Sequence, residues 1–364
     1  MKLTIVAGAR PNFMKIAPII KAIHHYVNMG HAISYRLVHT GQHYDKSMSG
    51  DFFVQLGIPE PHANLECGGG TQAEQTAAIM IRFEKEIQEY RPDMVIVVGD
   101  VTSTMACTIT AKKCCIQVAH VEAGIRSGDM TMPEEINRIV TDSICDHFFT
   151  TTTLAGEMLH KQQIERSRIH FVGNTMIDTL YHQLNHTQKP DFFNENGLNE
   201  KKYFLLTLHR PSNVDVEEKL LSILDAIMLA AEGMPVIFPV HPRTKQMLDK
   251  IKYKNDSLLQ IAPQPYLQFI YLVKNAKGII TDSGGITEEA TVLDVPCLTM
   301  RNTTERPETV TIGTNMLIGD DMDLLSNSLQ KIINNQWKKG SVPELWDGKT
   351  AERIVQKITE LFPN

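Results

Sequence analysis

Three acidic side chains stand where a chain of alternating strands and helices would bring them to strand ends or helix starts. Asp100 directly follows the apolar run Met94–Val98, Glu122 follows Val118–Val121, and Glu134 lies beside Glu135 in the first turn of a helix opened by Pro133. Carboxylates in partly desolvated crevices have raised pKa values and suit proton transfer. Each also has a plainer use. Asp100 could cap the next helix. Glu122 could accept backbone N–H bonds, or form half of an H-x-E metal site with His120; no third or fourth ligand stands at a recognisable spacing, so no metal is expected. Glu134 and Glu135 suit the helix dipole, and both can pair with Arg138.

A second group lies after residue 200. His209 ends the run 203–208, where an imidazole could neutralise a diphosphate, move a proton or simply cap. His241-Pro242-Arg243 repeats the design one strand later, with Arg243 a phosphate candidate. In T-D-S-G-G-I-T-E-E-A, small residues at a strand-to-helix turn let the backbone of Ser283, Gly284 and Gly285 approach a phosphate. Glu289, inside that helix, could reach a ribose diol, and Arg306 could support the loop or the anion. The motif is neither G-x-G-x-x-G nor a Walker A loop. Arg10 and Lys15 flank the first strand-to-helix turn and could add positive charge, although plain solvation serves Lys15 equally. Asp321-Met322-Asp323 reads as D-x-D but precedes a closing helix, so capping is expected.

The elements that position these residues alternate throughout. Continuous apolar strands such as Leu3–Ala7 and Met94–Val98 suit a parallel sheet covered on both faces. Pro11 suits a helix's first turn, and Gln72–Tyr90, Asp323–Trp337 and Thr350–Leu361 read as helices. Ser47–Leu56 reads as a short one. A polar stretch, Gln188–Lys202, separates two such series. The expectation is α/β, with two doubly wound Rossmann-like domains facing a central cleft: 1–187, probed by acids, and 188–349, with helix 350–364 returning to the first. The 364 residues suit two domains. With 42% hydrophobic and 21% charged residues and a net charge of −6, nucleic acid and acidic membranes are not expected partners. The opening apolar run is too short for a signal peptide, and no run approaches a membrane span, so a cytoplasmic location is expected. The six cysteines read as reduced structural thiols.

Taken together, G-A-R-P-N-F-M-K, V-G-D, H-V-E-A-G-I-R-S-G, P-E-E-I-N-R, V-G-N-T, L-H-R, P-V-H-P, T-D-S-G-G-I-T-E-E-A and T-T-E-R-P-E occur in order along nearly the whole chain. The chain thereby resembles the non-hydrolysing UDP-N-acetylglucosamine 2-epimerases. The resemblance implies a glycosyltransferase-B-like fold, a UDP-sugar as the bound partner and no cofactor. It also implies elimination of UDP to 2-acetamidoglucal and re-addition with C2 inverted. It makes Asp100, Glu122, Glu134 and His209 the catalytic set and Arg10, Lys15, Ser283, Gly284, Gly285 and Glu289 the UDP contacts, to which Arg243 and Arg306 are added from their positions. A homodimer is the default assembly. Relatives activated by a second substrate molecule read Q-H-R-x-M-L and H-R-R-E where this chain has Q-H-Y-D-K-S and H-R-P-S, so Asp45 and Pro211 depart from the regulated pattern.

Overall fold

The fully apolar runs become the middle strands of two parallel sheets. In the computed structural model, which describes residues 1–41, 53 and 55–362, the chain divides into two units, Met1–His182 with Glu344–Asn364, and Gln183–Pro343. The first contains β1 (Lys2–Ala7), β2 (Ser34–His39), β3 (Ala63–Asn64), β4 (Met94–Val98), β5 (Gln117–Val121), β6 (His147–Thr150) and β7 (Ile169–Phe171), in the order β3-β2-β1-β4-β5-β6-β7. Every described pairing is parallel. Its helices include α1 (Arg10–Asn28), α2 (Gln72–Glu89), α3 (Thr102–Lys113), α4 (Pro133–Ile144), α5 (Thr153–Lys161) and α6 (Thr175–Gln183).

The second unit contains β8 (Phe204–Thr207), β9 (Val236–Pro239), β10 (Leu258–Ile261), β11 (Gly278–Thr281), β12 (Cys297–Thr299) and β13 (Asn315–Leu317), ordered β10-β9-β8-β11-β12-β13 and again parallel. Around it run α7 (Asp191–Glu195), α8 (Pro211–Val214), α9 (Glu217–Ala230), α10 (Pro242–Ile251), α11 (Tyr266–Asn275), α12 (Gly284–Val292), α13 (Pro307–Thr311) and α14 (Met322–Ile333). The order reverses beside β1 in one sheet and beside β8 in the other. Such reversals open a crevice beyond the strand ends, because the neighbouring connections leave on opposite faces. Register then levels those ends: Val98 pairs with Val121, and Thr207 with Thr281.

Several elements differ from the sequence expectation. The polar stretch 188–202 holds the short helix α7, because Phe193 is buried edge-on against Tyr203 and Tyr271. The expected helix Asp323–Trp337 is Met322–Ile333; Asp321 caps it by accepting the Leu324 N–H at 2.8 Å, which accounts for the D-x-D. The Gln42-His43 loop, Asp45 and most of the expected Ser47–Leu56 helix lie outside the described residues. Among the described residues, no helix is long and apolar enough to cross a membrane.

The chain returns to the first unit at Glu344, ahead of α15 (Thr350–Leu361), which packs on α1. Trp346 explains the early return: it is 1% exposed, and its Nε1–H donates to the Thr151 carbonyl at 3.1 Å. Asp178 then accepts the Thr350 and Ala351 N–H groups at 3.1 and 2.7 Å, tying down the start of α15. Gly173, at φ +101°, admits the Leu345 carbonyl where a Cβ would stand only 2.1 Å away. Trp346→Ala is therefore expected to destabilise the first unit by about 3–5 kcal/mol. Urea unfolding followed by tryptophan-independent circular dichroism checks this; a loss below about 1 kcal/mol would show that the segment is not docked.

Candidate functional site

The level ends of β4 and β5 deliver the first cluster. Gly99 turns the chain at φ +66°, and Glu122 follows β5 at φ +71°, a left-handed conformation that costs a residue with a Cβ. Glu122 has thus left the strand's alternation, and H-x-E does not act as one pair. Its carboxylate, 2% exposed, is ion-paired with Lys15 from α1, while His120 turns to Asp142 at 2.7 Å and to the Gly99 carbonyl at 2.8 Å. A Cβ on Gly99 would lie 2.9 Å from Lys15 Nζ and 3.3 Å from Glu122 Oε2, so glycine is needed both for the turn and for the space. Among the described residues, no group of three His, Cys, Asp or Glu side chains could hold a metal ion.

Asp100 does not cap α3. Its Oδ2 accepts from Arg138 Nη2 at 2.5 Å, and its carbonyl accepts from Asn137 Nδ2 at 2.8 Å, so α4 fixes both ends of the residue. Arg138 also donates to Glu135 at 2.7 Å. Glu135, buried, accepts the Ser127 N–H, the Ser127 hydroxyl and the Gly128 N–H at 2.9, 3.0 and 3.2 Å. Burial alone would raise its pKa, but these bonds outweigh it and hold the carboxyl below the usual range. Glu135 is thus the anchor that shapes the loop and aims Arg138. Glu134 is half-buried and has no hydrogen-bond or ion-pair partner among the described residues. Arg10 opens α1 at the exposed side of the same turn, and Asn12 holds that turn by accepting from Gly8 and Ala9 and donating to the Val98 carbonyl, each at 3.0 Å.

In the second unit the organiser is Asp282, fully buried at the end of β11. It accepts the backbone N–H groups of His209 and Arg210 and a side-chain N–H of Asn213. It also accepts from His209 Nδ1 at 2.9 Å, while 43% of the imidazole side chain stays exposed. Burial opposes its charge, yet the bonds from His209 and Arg210 prevail and keep Asp282 below the usual carboxylate range. His209 is therefore oriented with Nε2 outward. Gly284 begins α12 and packs so closely on Glu305 that a Cβ would sit 2.6 Å from its Oε1; beside Gly285 there is open space. The Ser283 N–H donates to Thr281 Oγ1 at 3.0 Å, so the backbone donors that α12 itself leaves unpaired are those of its first turn. Arg306 is tied to α12 through Glu288 at 2.7 Å, supporting the loop from behind. Arg243 forms a two-point pair with Asp215, both bonds 2.7 Å, at an exposed position.

Glu289 is buried on α12 and accepts the Tyr266 hydroxyl at 3.1 Å. Burial raises its pKa to about 8; the Tyr266 bond partly opposes this and the Glu288 charge adds to it. The sequence reading paired Glu135 with Arg138, as observed, but missed Asn12, the link from Arg138 to Asp100, Tyr266 and Asp282. Only the T-D-S spacing carried a signal for one of them, an acid directly after a strand.

Two doubly wound parallel sheets, each with its ionisable cluster at the point where strand order reverses, define a two-unit α/β protein of the glycosyltransferase-B type. The UDP-N-acetylglucosamine 2-epimerase family model matches residues 27–359. The chain is 42% identical over 373 residues to a UDP-N-acetylglucosamine 2-epimerase of Methanocaldococcus jannaschii, covering 99% of both. It is 38% identical to a UDP-2,3-diacetamido-2,3-dideoxy-D-glucuronate 2-epimerase of Pseudomonas aeruginosa, covering 99% of this chain and 100% of the other. A crystal structure of a Methanocaldococcus jannaschii UDP-GlcNAc 2-epimerase in complex with UDP-GlcNAc and UDP superposes with a TM-score of 0.87 over 99% of this chain and 100% of that one, at 42% identity. The chain belongs to the UDP-N-acetylglucosamine 2-epimerase family and is an isomerase of that family.

The Glu289 carboxyl yields a pH prediction. An unfolded glutamate loses its proton near pH 4.3, whereas Glu289 in the folded chain keeps it to about 8. The folded state thus holds the extra proton across that window, and stability falls as pH rises through it. Glu289→Gln removes this contribution, so the stability difference between pH 5 and pH 9 is expected to shrink relative to the unsubstituted chain in matched urea titrations. Parallel curves would show that Glu289 ionises normally.

Proposed function

We propose that the chain interconverts a UDP-2-acetamido sugar with its C2 epimer, with UDP-N-acetylglucosamine and UDP-N-acetylmannosamine as the pair. The observation that carries this reading is the placement of Asp100 and Glu122 at the level ends of β4 and β5, each held by its own cation, in a member of this family. Proton transfer at a weakly acidic carbon needs carboxylates fixed in place and partly desolvated.

In the forward direction one group of the set Asp100, Glu122, Glu134 and His209 takes the C2 proton. The C2–H electron pair forms the C1–C2 double bond, the C1–oxygen bond breaks, and UDP leaves with the C1–oxygen pair. Re-addition places a diphosphate oxygen on C1 and a proton on the opposite face of C2. Atoms and electrons balance without a redox partner. Arg10 and Lys15, with the backbone at Gly284 and Gly285, serve the departing diphosphate, because preorganised donors favour charge that develops on a leaving group. Arg243 joins them if substrate competes with Asp215. Glu289 takes the ribose hydroxyls.

Incubating the protein with UDP-N-acetylglucosamine alone in deuterated water tests this. The expected result is both epimers carrying deuterium at C2 by NMR. An unlabelled, unchanged sugar would reject this substrate, and turnover only after an acceptor is added, with no deuterium at C2, would indicate group transfer. In the same assay Asp100→Asn, Glu122→Gln, Glu134→Gln and His209→Asn are each expected to fold and to lose about a hundredfold in turnover; any one that turns over normally leaves the set.

A further inference from the structure

A buried polar chain beneath the first cluster has no part in the reaction as written. Arg126 Nη1 donates to Asp142 Oδ2 at 2.6 Å, and the Gly124 N–H donates to the same oxygen at 3.1 Å. The other oxygen, Oδ1, faces His120 Nδ1 at 2.7 Å, and His120 Nε2 faces the Gly99 carbonyl at 2.8 Å. His120 and Asp142 are 0% and 1% exposed. Burial alone would raise the Asp142 pKa, but His120 and then Arg126 outweigh it and keep the carboxyl ionised below its usual range. The Gly99 carbonyl can only accept, so His120 Nε2 donates to it, while Nδ1 faces Asp142.

The far end of this chain is the peptide that carries Asp100. The Gly99 N–H donates to the Val121 carbonyl at 3.0 Å, and the Gly99 carbonyl accepts from His120, so β5 grips Gly99 on both sides. Glu122 leaves the same strand one residue after Val121, with its own N–H on the Phe149 carbonyl at 3.0 Å. Without the His120 bond, the Gly99 carbonyl would be a buried acceptor lacking this donor, in a turn already at φ +66°.

We propose that His120 is a positioning residue: by clamping the Gly99 carbonyl, with Asp142 and Arg126 holding the imidazole in place, it fixes the turn that sets Asp100 against Glu122. This rests on the proposed C2 chemistry of those two carboxylates. A small displacement of a reacting group costs up to about a hundredfold in rate.

Two amides separate the two ends of the imidazole. Glutamine places its amide nitrogen near the position of Nε2 and can still donate to Gly99; asparagine places it near Nδ1 and can bond only Asp142. With the unsubstituted chain first shown to exchange C2 hydrogen for deuterium, His120→Asn is expected to lower kcat by about 10- to 100-fold, with KM and UDP affinity by calorimetry within about threefold. His120→Gln is expected to recover at least about a tenth of normal kcat and to exceed His120→Asn. A purely structural role would order the two by thermal stability instead. A folded His120→Asn protein with kcat within about twofold of normal, or equal impairment of both variants, overturns the proposal. If neither variant folds, Arg126→Gln decides: it is expected to lower kcat by about three- to tenfold at unchanged UDP affinity, and unchanged kcat overturns the clamp. Absence of C2 exchange in the unsubstituted chain would instead reject the reaction.

Discussion

Asp100 and Glu122 leave the level ends of adjacent strands, and in the first unit each meets a cation carried by a helix. Lys15 reaches Glu122 from α1, and Arg138 reaches Asp100 from α4. Removing either cation would leave a partly or fully desolvated carboxylate without its partner, which is costly. The surroundings follow from it. Gly99 has no side chain because Lys15 and Glu122 occupy the space, Glu122 adopts a left-handed backbone to leave the sheet, and Glu135 is buried to aim Arg138. A strand end alone could not hold both acids; two helices and a buried acid do so.

The second unit meets the same fold with the opposite arrangement of charge. There the acid lies underneath: Asp282 at the end of β11 collects backbone and side-chain N–H groups and turns His209 outward. What faces the solvent side is an imidazole edge and the first turn of α12, both suited to a negative group. Glu289, one of the few acids on that helix, is buried with its pKa raised to about 8 by that burial, so it does not set a full negative charge against the anion-facing turn. One sheet end thus presents acids with cations behind them, the other presents donors with an acid behind them.

The strands and long helices were legible because each carries its own period and is bounded by Gly or Pro: Met94–Val98, Ser34–His39 and Thr350–Leu361 stand at the positions read from the chain. The α/β class followed from their alternation. Short apolar strands such as Leu258–Ile261 and Gly278–Thr281 were legible too; β13, α13 and α7 were not, because their residues form no sustained apolar run, and α7 is set by the burial of Phe193. The acids themselves were visible as residues after apolar runs. Their partners were not. Arg138 has Glu134 and Glu135 at helical spacing and bonds only the second of these, because its other arm turns to Asp100, 38 residues earlier in the chain. Arg243 reads as a phosphate ligand from its place after β9, whereas Asp215 engages it from α8's end. Such pairings are set by which loops meet, and that depends on the whole sheet order.

The relatives constrain which part of the molecule decides the sugar. A UDP-N-acetylglucosamine 2-epimerase from Methanococcus maripaludis and the UDP-2,3-diacetamido-2,3-dideoxy-D-glucuronate 2-epimerase from Pseudomonas aeruginosa match this chain at the same 38% identity. By their names those proteins share the UDP and the site of epimerisation at C2; the sugars differ in an added acetamido group at C3 and a carboxylate at C6. A charge pair or diphosphate contact serves both sugars equally, so it gives no preference between them. Preference comes from groups that meet the differing substituents, because a site that leaves a carboxylate or an amide unpaired loses binding energy. With the proposed roles, the carboxylate cluster and the α12 turn meet groups that both sugars have, and selection would fall to side chains outside them that face C3 and C6.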